Sequence, residues 1–297
     1  MGVGFRRNFR RWFYAKAPRT PFFDRLVHQM RFMQATGGAP STKLSIRDKV
    51  FRKLTNGTLR DPLITATTDR DIAKTVMSGL IGRPAHLQTD AILRSAKEIE
   101  NFDFTPGQWV RTTHSYVIPE IVSDRGHISR DNLIEWLNQD YYHLTREENY
   151  KPLKPGILVE PYVQDGEAPV EIRVLCYNGD VSLFHSFERS DQHHYNPRRY
   201  YTPDWEPLEF SVWDPHHEVI YPKPAQLDAF KADCEKISAP FEIVGIEALL
   251  YPGGEYRFIG LSHCPDGGLP RIVPKSATQE YNDRFFRLPP YGDTVPD

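Results

Sequence analysis

Residues 108–122 have the sequence QWVRTTHSYVIPEIV, and two parts of this stretch, 109–113 and 117–122, are rich in β-branched and aromatic residues. The first part predicts a strand suited to a protein core, yet it contains the cation Arg111. Burying a charge without a partner is costly. The bend between the two parts contains no glycine. The stretch therefore predicts a strand pair whose cation faces something other than a plain apolar core.

Charged residues recur in other segments that are otherwise strand-like. They lie in or at the end of such segments at Glu160, Glu171, Arg173, Glu188, Arg189, Glu247 and Arg257. In VEIRVLCY (170–177), Glu171 and Arg173 share one face of a strand, and the apolar residues between them share the other. A solvent-facing sheet surface would explain this ionic face. A polyphosphate cleft explains it better, because arginine offers a planar fork of donors and acids can hold a divalent metal.

The composition predicts a globular protein with more than one lobe. The chain has 297 residues, of which 39% are hydrophobic and 26% are charged. No apolar run approaches the roughly 20 residues that span a bilayer, and arginines interrupt the apolar residues at the start, unlike in a signal peptide. The three cysteines, Cys176, Cys234 and Cys264, have unrelated spacings and favour a reducing cytosol.

The N-terminal segment concentrates positive charge. Residues 1–31 carry eight basic side chains against Asp24 alone, a balance of +7 in a chain of net charge −2. Four aromatic residues share one face of a predicted helix: Phe5, Phe9, Trp12 and Phe13. Residues 5–16 therefore predict either a helix on an anionic membrane surface or a helix docked on the body or on a second subunit. The acidic remainder and the lack of a groove-reading motif argue against nucleic acid.

Periodicity and turn residues predict helices first and antiparallel hairpins after them. The predicted helices are 43–54, 70–81, 90–99, 131–142 and 224–237. The predicted strands are 109–113, 117–122, 156–163, 170–177, 181–187, 241–251 and 255–261. Thr68-Asp69 can cap the helix at 70–81, and Asn178-Gly179 between two β runs is a strong hairpin signal. This order is typical of an α+β fold.

One segment, FERSDQHHYNPRRYY at 187–201, is dense in hydrogen-bonding groups. It predicts either a loop that grips an anionic substrate or a plain solvated loop. A zinc site is disfavoured because His193 and His194 are adjacent and no spaced ligand pair accompanies them. The chain contains no P-loop, no GxGxxG and no GxSxG motif.

The order of several short motifs is informative as a set. The motifs are LRDPL at 59–63, TDR at 68–70, residues 108–122, EENY at 147–150, ILVE at 157–160, EIRVLCYNG at 171–179, Arg189, YTPDW at 201–205, YPKP at 221–224 and PDGG at 265–268. In this order, over about residues 59–270, the chain resembles the teichuronopeptide-biosynthesis (TupA-like) branch of the ATP-grasp superfamily.

The resemblance implies an ATP-grasp-like α+β fold in which two lobes clamp a nucleotide, here preceded by a basic N-terminal helix. It implies ATP and Mg²⁺, with phosphorylation of a carboxylate followed by attack of an amine to give an amide. Such chemistry needs cations around the phosphates and carboxylates on the metal. The resemblance assigns Arg111, His114, Glu160, Tyr162 and Arg173 to cofactor binding, Arg189 and Arg173 to catalysis, and Glu247 to the metal. Among these, Arg111 and Arg173 would hold phosphates and Glu160 the ribose.

The chain departs from the family pattern at several site positions. The family lysine is Arg111 here, which keeps the charge but changes its reach and geometry. Residues 115–117 replace loop glycines, and their side chains would obstruct a backbone that closes over phosphates. The cation types at Arg70 and Lys74 are exchanged relative to the family. The second metal carboxylate aligns with Gly260, which has none.

Three functions remain open on this basis. The first is an ATP-dependent carboxylate–amine ligase of cell-envelope or capsular polymer biosynthesis, which acts through an acyl-phosphate. The second is a degenerate ATP-grasp protein that binds a nucleotide or a glycan as a scaffold without turnover. The third is a sugar phosphotransferase, for which His114 or Glu188 is the candidate base.

The resemblance and the composition also predict boundaries and partners. The predicted divisions are an N-terminal segment and linker at 1–40, a helical subdomain at 41–105, a first lobe at 106–157, a second lobe at 158–287 and an irregular tail at 288–297. The expected partners are a nucleotide and a carboxylate- or glycan-containing substrate, with an anionic membrane surface and a homodimer as further candidates. The expected location is the cytoplasm, with a peripheral position at the inner face of the membrane as a variant.

Overall fold

The structure is a computed structural model of the chain and describes residues 14, 16–42, 45–116, 119–162, 169–187, 198–213 and 220–291. Its α-helices are α1 (Pro21–Thr36), α2 (Ile46–Thr55), α3 (Pro62–Thr68), α4 (Arg70–Ile81), α5 (Ala96–Asn101), α6 (Arg130–Leu137), α7 (Tyr141–Thr145), α8 (Leu227–Ser238) and α9 (Thr278–Phe285). Its strands are β1 (Ala91–Leu93), β2 (Gln108–Thr112), β3 (Glu120–Ile121), β4 (Ile157–Pro161), β5 (Val170–Tyr177), β6 (Asp180–Phe187), β7 (Arg198–Tyr201), β8 (Ser211–Val212), β9 (Ile243–Leu250), β10 (Tyr256–Ser262) and β11 (Ile272–Val273).

The first lobe is built on a four-stranded antiparallel sheet in the order β1-β4-β2-β3, so it takes in β1, before the predicted start at 106, and the part of β4 beyond the predicted end at 157. The predicted pairing of 109–113 with 117–122 is confirmed as β2 with β3, although residues 117–118 lie outside the described residues. Ile99 of α5 and Leu133 of α6 pack with Val110 and Val159 in one core. The core covers one face of this sheet and leaves the Arg111 side chain on the other side of β2.

The second lobe is built on a five-stranded antiparallel sheet in the order β10-β9-β5-β6-β7. The hairpin predicted at Asn178-Gly179 is confirmed, and both residues have positive φ, 50° and 89°, as a two-residue turn of this kind requires. Helix α8 packs on the sheet through the fully buried Phe230, whose ring stacks 5.9 Å from the rings of both Phe184 and Phe258. Two antiparallel lobes confirm the α+β expectation.

Helix α4 is confirmed with the predicted bounds, because its two ends carry strong local signals. The Asp69 side chain accepts hydrogen bonds from the backbone N–H groups of Asp71 and Ile72 at 2.9 and 3.2 Å. Gly82 ends the helix with φ 77°. The first two turns of α4 carry Arg70, which lines the space between the lobes, and Lys74, which pairs with Glu160 of β4.

The helix predicted at 90–99 is wrong in its first half. Residues Ala91–Leu93 form β1, because Ile92 pairs with Leu158 at the edge of the first sheet. The helix begins only at Ala96, where Ser95 and Glu98 form a capping box. The helix predicted at 131–142 is divided into α6 and α7, and α1, α3 and α9 lie where sequence patterns predicted no helix.

A small apolar cluster joins the two lobes. Its members are Leu87, Trp109 and Tyr162 on one side and Leu249, Tyr251 and Ile259 on the other. The rings of Trp109 and Tyr162 lie 5.3 Å apart. The Tyr251 hydroxyl donates to the Tyr162 carbonyl at 3.3 Å. The lobes therefore meet through packed side chains next to β2.

Helix α1 is anchored on the body by a buried arginine. Arg146, which is 0% exposed, pairs through Nη1 with Oδ1 of Asp24 at 3.1 Å. It also donates to the carbonyls of Tyr14, Pro18 and Ala17 at 3.2, 3.1 and 2.8 Å. This contact ties part of the predicted N-terminal segment to the first lobe. Within the described ranges, no helix has both the length and the apolar character needed to cross a bilayer.

Replacing Arg146 with alanine should lower the free energy of unfolding by about 3–5 kcal/mol, because Asp24 would stay buried without its cation. Urea denaturation followed by circular dichroism measures this change. Arg19→Ala is the matched control, since it removes an exposed pair with Asp140 at the same junction and should cost less than about 1 kcal/mol. Equal losses for the two variants would contradict a buried anchor.

Candidate functional site

Three residues form a row across the second sheet. Arg173 on β5 lies directly opposite Glu247 on β9, and Glu247 lies directly opposite Gly260 on β10. Directly opposite residues project from the same face of a sheet. Nη2 of Arg173 donates to Oε1 of Glu247 at 2.8 Å. The row therefore places a guanidinium, a carboxylate and a position without a side chain on one surface.

Arg111 extends from β2 of the first lobe to the second lobe. Its Nε and Nη2 donate to Oε2 and Oε1 of Glu160 at 2.6 and 3.1 Å. Its Nη2 also donates to the backbone carbonyl of Ile259 on β10 at 2.7 Å. The guanidinium carbon lies 4.4 Å from the ring centroid of Trp109, which is cation–π geometry. A single buried side chain thus links the two sheets, which accounts for the cation in β2.

Glu160 is fully buried on β4 and holds a second cation. Nζ of Lys74 on α4 pairs with Oε1 of Glu160 and donates to Oγ1 of Thr89 at 2.8 Å. Burial lowers the pKa of Lys74, although the charge of Glu160 opposes this effect. One carboxylate therefore connects a strand, the neighbouring strand and a helix.

Arg70, the first residue of α4, is the third guanidinium at this place. Its Nη1 donates to the carbonyl of Thr112 at 2.9 Å and to that of Ser115. Its guanidinium carbon lies 5.7 Å from the ring centroid of Tyr116. A Cβ atom added to Gly260 would lie 3.6 Å from Cγ of Arg70 and 3.9 Å from its Nε. The Arg70 side chain therefore occupies the space beside Gly260.

Three guanidinium groups affect the pKa of Glu247. Burial alone would raise the pKa of Glu247, but the charges of Arg173, Arg70 and Arg111 outweigh it and hold the pKa below its usual value. The sequence prediction that Arg111, Arg173 and Glu247 come together is matched by this arrangement.

The space left between the lobes at this cluster is small. Arg70, Arg111 and Glu247 line a cavity of about 50 Å³. Cavities that enclose drug-sized ligands measure about 300–1,000 Å³. The cavity at this cluster is therefore too small, in the arrangement that the structure shows, to enclose a ligand of that size.

A larger cavity of about 410 Å³ lies next to the cleft and shares Tyr116 with it. Arg173 lies on the wall of this larger cavity and pairs with Glu247, which lines the smaller one. His28 and Arg31 of α1 line the far side. The anchored N-terminal helix is therefore part of the site.

A carboxyl group that titrates near neutral pH faces this larger cavity. Burial raises the pKa of Glu147 to about 7, although the Cys264 thiol and the charges of Arg31 and Lys53 act in the opposite direction. The Cys264 thiol donates a hydrogen bond to Glu147, and burial together with this carboxylate raises the pKa of the thiol.

The other predicted site residues lie outside this convergence. Tyr162 packs behind Trp109 in the apolar cluster between the lobes. His114 is buried and accepts a hydrogen bond at Nδ1 from the Gly156 N–H at 3.3 Å. It borders a separate cavity of about 360 Å³ on the first lobe. Arg189 lies outside the described residues, so its predicted role stays a prediction.

The donor set does not fit a protein-held Mg²⁺ ion. Glu247 is engaged by Arg173, and Gly260 contributes no oxygen from the opposite position. Magnesium demands near-octahedral oxygen coordination. In the part of the chain that the structure describes, no three His, Cys, Asp or Glu side chains are grouped to hold a metal ion.

Arg70 and Lys74 belong to the cluster although the sequence prediction assigned neither of them to the site. The signal was the exchange of cation types at these two positions relative to the family pattern. Glu147 has a weaker signal, its place in the EENY motif. Burial decides its pKa, and burial is not readable from the motif.

Comparison with known families gives one match that spans most of the chain. A family model described as TupA-like ATPgrasp matches residues 53–256, more than half of the sequence. A search of curated proteins found no match.

Several solved structures are similar to this chain. They include an L-amino acid ligase from Bacillus licheniformis, with 11% identity, a TM-score of 0.48, and coverage of 89% of this chain and 60% of that one. A D-alanine–D-alanine ligase from Bacillus anthracis complexed with ATP has 14% identity, a TM-score of 0.40, and coverage of 74% and 63%. A biotin carboxylase domain dimer of 2-oxoglutarate carboxylase from Hydrogenobacter thermophilus has 13% identity and a TM-score of 0.45. The match covers 88% of this chain and 56% of that one. The chain spans about half to two thirds of the length of the first structures that it matches.

Glu147→Gln should change how stability depends on pH. The folded-state pKa of about 7 lies above the ordinary value of 4.5, so the folded protein keeps a proton that the unfolded chain has lost. The stability of the wild type should therefore fall as the pH rises from about 4.5 to 7. Glutamine does not titrate, so the free energy of unfolding of the variant should rise relative to that of the wild type over this pH range, by on the order of 2 kcal/mol.

Urea denaturation of both proteins between pH 5 and 8 tests this expectation. Other groups that titrate in the range, His28 among them, contribute to both proteins and cancel in the difference. Parallel stability curves would contradict a raised pKa at Glu147.

Proposed function

The chain belongs to the TupA-like ATP-grasp family, and we propose that it is an ATP-dependent carboxylate–amine ligase of cell-envelope or capsular polymer biosynthesis. The observation that carries the proposal is the grouping of three guanidinium groups around Glu247: Arg70 and Arg111 line the cleft between the lobes with this carboxylate, and Arg173 pairs with it at 2.8 Å. Guanidinium groups offer paired N–H donors that match phosphate oxygens. The cleft thus presents the cations that a nucleotide triphosphate requires.

In the proposed reaction, the γ-phosphoryl group of ATP passes to a substrate carboxylate. An amine then attacks the acyl-phosphate and displaces phosphate, which leaves an amide. Arg70, Arg111 and Arg173 hold the triphosphate and stabilise the charge that develops on its non-bridging oxygens. Arg189 is the predicted group that orients the acyl-phosphate from the adjoining loop.

The larger cavity is the place that we assign to the substrate. Arg173 lies both on its wall and beside Glu247, so a carboxylate bound in the cavity would face the phosphate side of the cleft. The cavity of about 410 Å³ suits a sugar acid or an amino acid. The terminal acid of a glycan fits this space if the rest of the polymer remains outside.

Glu160 and Tyr162 take supporting roles in this proposal. The resemblance gave Glu160 a ribose contact, yet both of its oxygens are occupied by Arg111 and Lys74. We therefore assign Glu160 as a positioning residue for these two cations. Tyr162 braces Trp109, on which the Arg111 guanidinium stacks.

A second candidate function is nucleotide or glycan binding without turnover, in a scaffold of polymer synthesis. The bare position at Gly260 and the ion pair between Arg173 and Glu247 favour it, because they remove the metal ligands of the family pattern. The phosphotransferase alternative gains no support from the described residues. Of its two candidate bases, His114 faces a separate cavity and Glu188 lies outside the described residues.

A product assay distinguishes these functions. Purified protein incubated with ATP and panels of acids, amines and sugars should yield ADP, free phosphate and an amide if it is a ligase. ADP with a phosphosugar and no free phosphate would indicate a kinase. Thermal stabilisation by ATP without any product would indicate the scaffold, and the absence of ATP binding would reject both enzymatic functions.

Arg70→Gln should weaken ATP binding about 10- to 100-fold, because a hydrogen bond to a charged group contributes about 1.5–3 kcal/mol. Isothermal titration calorimetry measures the affinity. Arg125→Gln is the matched control, since Arg125 is an exposed arginine that lines neither of the two cavities, and the affinity of this variant for ATP should equal that of the wild type. Equal affinities for all three proteins would remove Arg70 from the nucleotide site.

Residues 5–16 are further proposed to bind an anionic membrane surface through their basic amphipathic pattern. Residues 1–13 and 15 lie outside the described residues. The wild type should sediment with phosphatidylglycerol vesicles, and a variant with Arg6, Arg7, Arg10 and Arg11 changed to glutamate should not. Equal sedimentation of the two would reject an electrostatic attachment.

A further inference from the structure

We propose that this chain binds the nucleotide polyphosphate without contributing ligands to a divalent metal, and that Arg70 and Arg173 occupy the place of the metal. This inference rests on the proposed function, because it concerns the same cleft. It concerns how the phosphate charge is neutralised rather than which reaction follows.

Glu247 is already paired with a guanidinium. Its Oε1 accepts a hydrogen bond from Nη2 of Arg173 at 2.8 Å, and the two residues are paired directly across β5 and β9. Arg173 is a neighbour of a second acid as well, with Nη1 lying 3.9 Å from Oδ1 of Asp266. A cation bound to Glu247 would therefore have to displace a buried guanidinium that is shared between two carboxylates.

The side chain of Arg70 occupies the space next to Gly260. A Cβ atom at this position would lie 3.5 Å from Oε2 of Glu247, so position 260 is adjacent to the free side of that carboxylate. The same Cβ atom would lie 3.6 Å from Cγ of Arg70. Where a second carboxylate would complete a metal site, the chain therefore presents a glycine and a guanidinium.

The three arginine side chains suit a polyphosphate ligand. Arg70, Arg111 and Arg173 each carry forked N–H donors, which bind phosphate oxygens directly. A guanidinium keeps its charge at every physiological pH, whereas a metal ion must be bound from solution. Free ATP carries more negative charge than its magnesium complex, so a site neutralised by arginines should prefer free ATP.

The sign of one substitution separates the two arrangements. If Glu247 is a metal ligand, Glu247→Gln weakens binding in the presence of Mg²⁺. If Glu247 is the partner of Arg173, the substitution frees this guanidinium for the nucleotide, and binding becomes tighter by up to about fivefold. Glutamine has nearly the same shape, so packing changes little.

The experiment is isothermal titration calorimetry of the full chain with a non-hydrolysable ATP analogue, in excess Mg²⁺ and in EDTA. We expect the Kd in Mg²⁺ to be equal to or higher than the Kd in EDTA, and Glu247→Gln to tighten both. A Kd at least tenfold lower in Mg²⁺ than in EDTA, or weaker binding by Glu247→Gln, would overturn the inference while leaving nucleotide binding in place. No binding under either condition would overturn the proposed nucleotide site itself.

A gain-of-function pair provides a second test. Gly260→Glu restores a carboxylate beside Glu247, and Gly260→Gln adds the same bulk without the charge. The ratio of the Kd in Mg²⁺ to the Kd in EDTA should fall at least tenfold in Gly260→Glu relative to Gly260→Gln. Equal ratios in the two variants would contradict position 260 as the missing metal ligand. If either variant fails to fold, the comparison of wild type with Glu247→Gln still decides the question.

Discussion

The arrangement of the two lobes depends on one buried carboxylate. Glu160 on β4 accepts Arg111 from β2 and Lys74 from α4, so three elements are fixed relative to one another at a single point. Arg111 then carries the connection across the cleft to the carbonyl of Ile259 on β10. Removal of the acid would leave two buried cations, which is why the cluster acts as a unit. The expensive charge in β2 is therefore stabilised from both lobes.

The use of arginine in place of lysine has a geometric meaning here. A guanidinium has a planar fork, so Arg111 can bond both oxygens of Glu160 and still donate to a carbonyl of the other lobe. A lysine ammonium is a compact point charge that cannot cover the same three acceptors in this geometry. The guanidinium of Arg111 thus joins the two lobes across the cleft as well as pairing with Glu160. Under the proposed function, phosphate oxygens would take the place of the Ile259 carbonyl as an acceptor for Arg111.

Local sequence signals predicted some elements well. They predicted poorly the elements that depend on contacts between distant parts of the chain. The Asp69 cap, the Gly82 terminus and the Asn178-Gly179 turn fix their elements within a few residues, and these predictions hold. The residues of β1 had no such signal, because their strand conformation comes from pairing with β4 in another part of the chain. Arg111, Arg173 and Glu247 were found as charges in apolar strands. Arg70 was noticed but not placed in the site, because only the three-dimensional structure shows that it fills the space over Gly260.

The anchoring of α1 by Arg146 bears on where the folding unit ends. The family match begins at residue 53, yet the helix before it supplies a wall of the larger cavity and the acid that neutralises Arg146. A fragment trimmed to the matched region would lack α1 and most of α2, and it would leave the buried Arg146 without its partner Asp24. The part of this chain that packs around the larger cavity therefore extends N-terminal to the region that the family model matches, and truncation at residue 53 would remove one wall of that cavity.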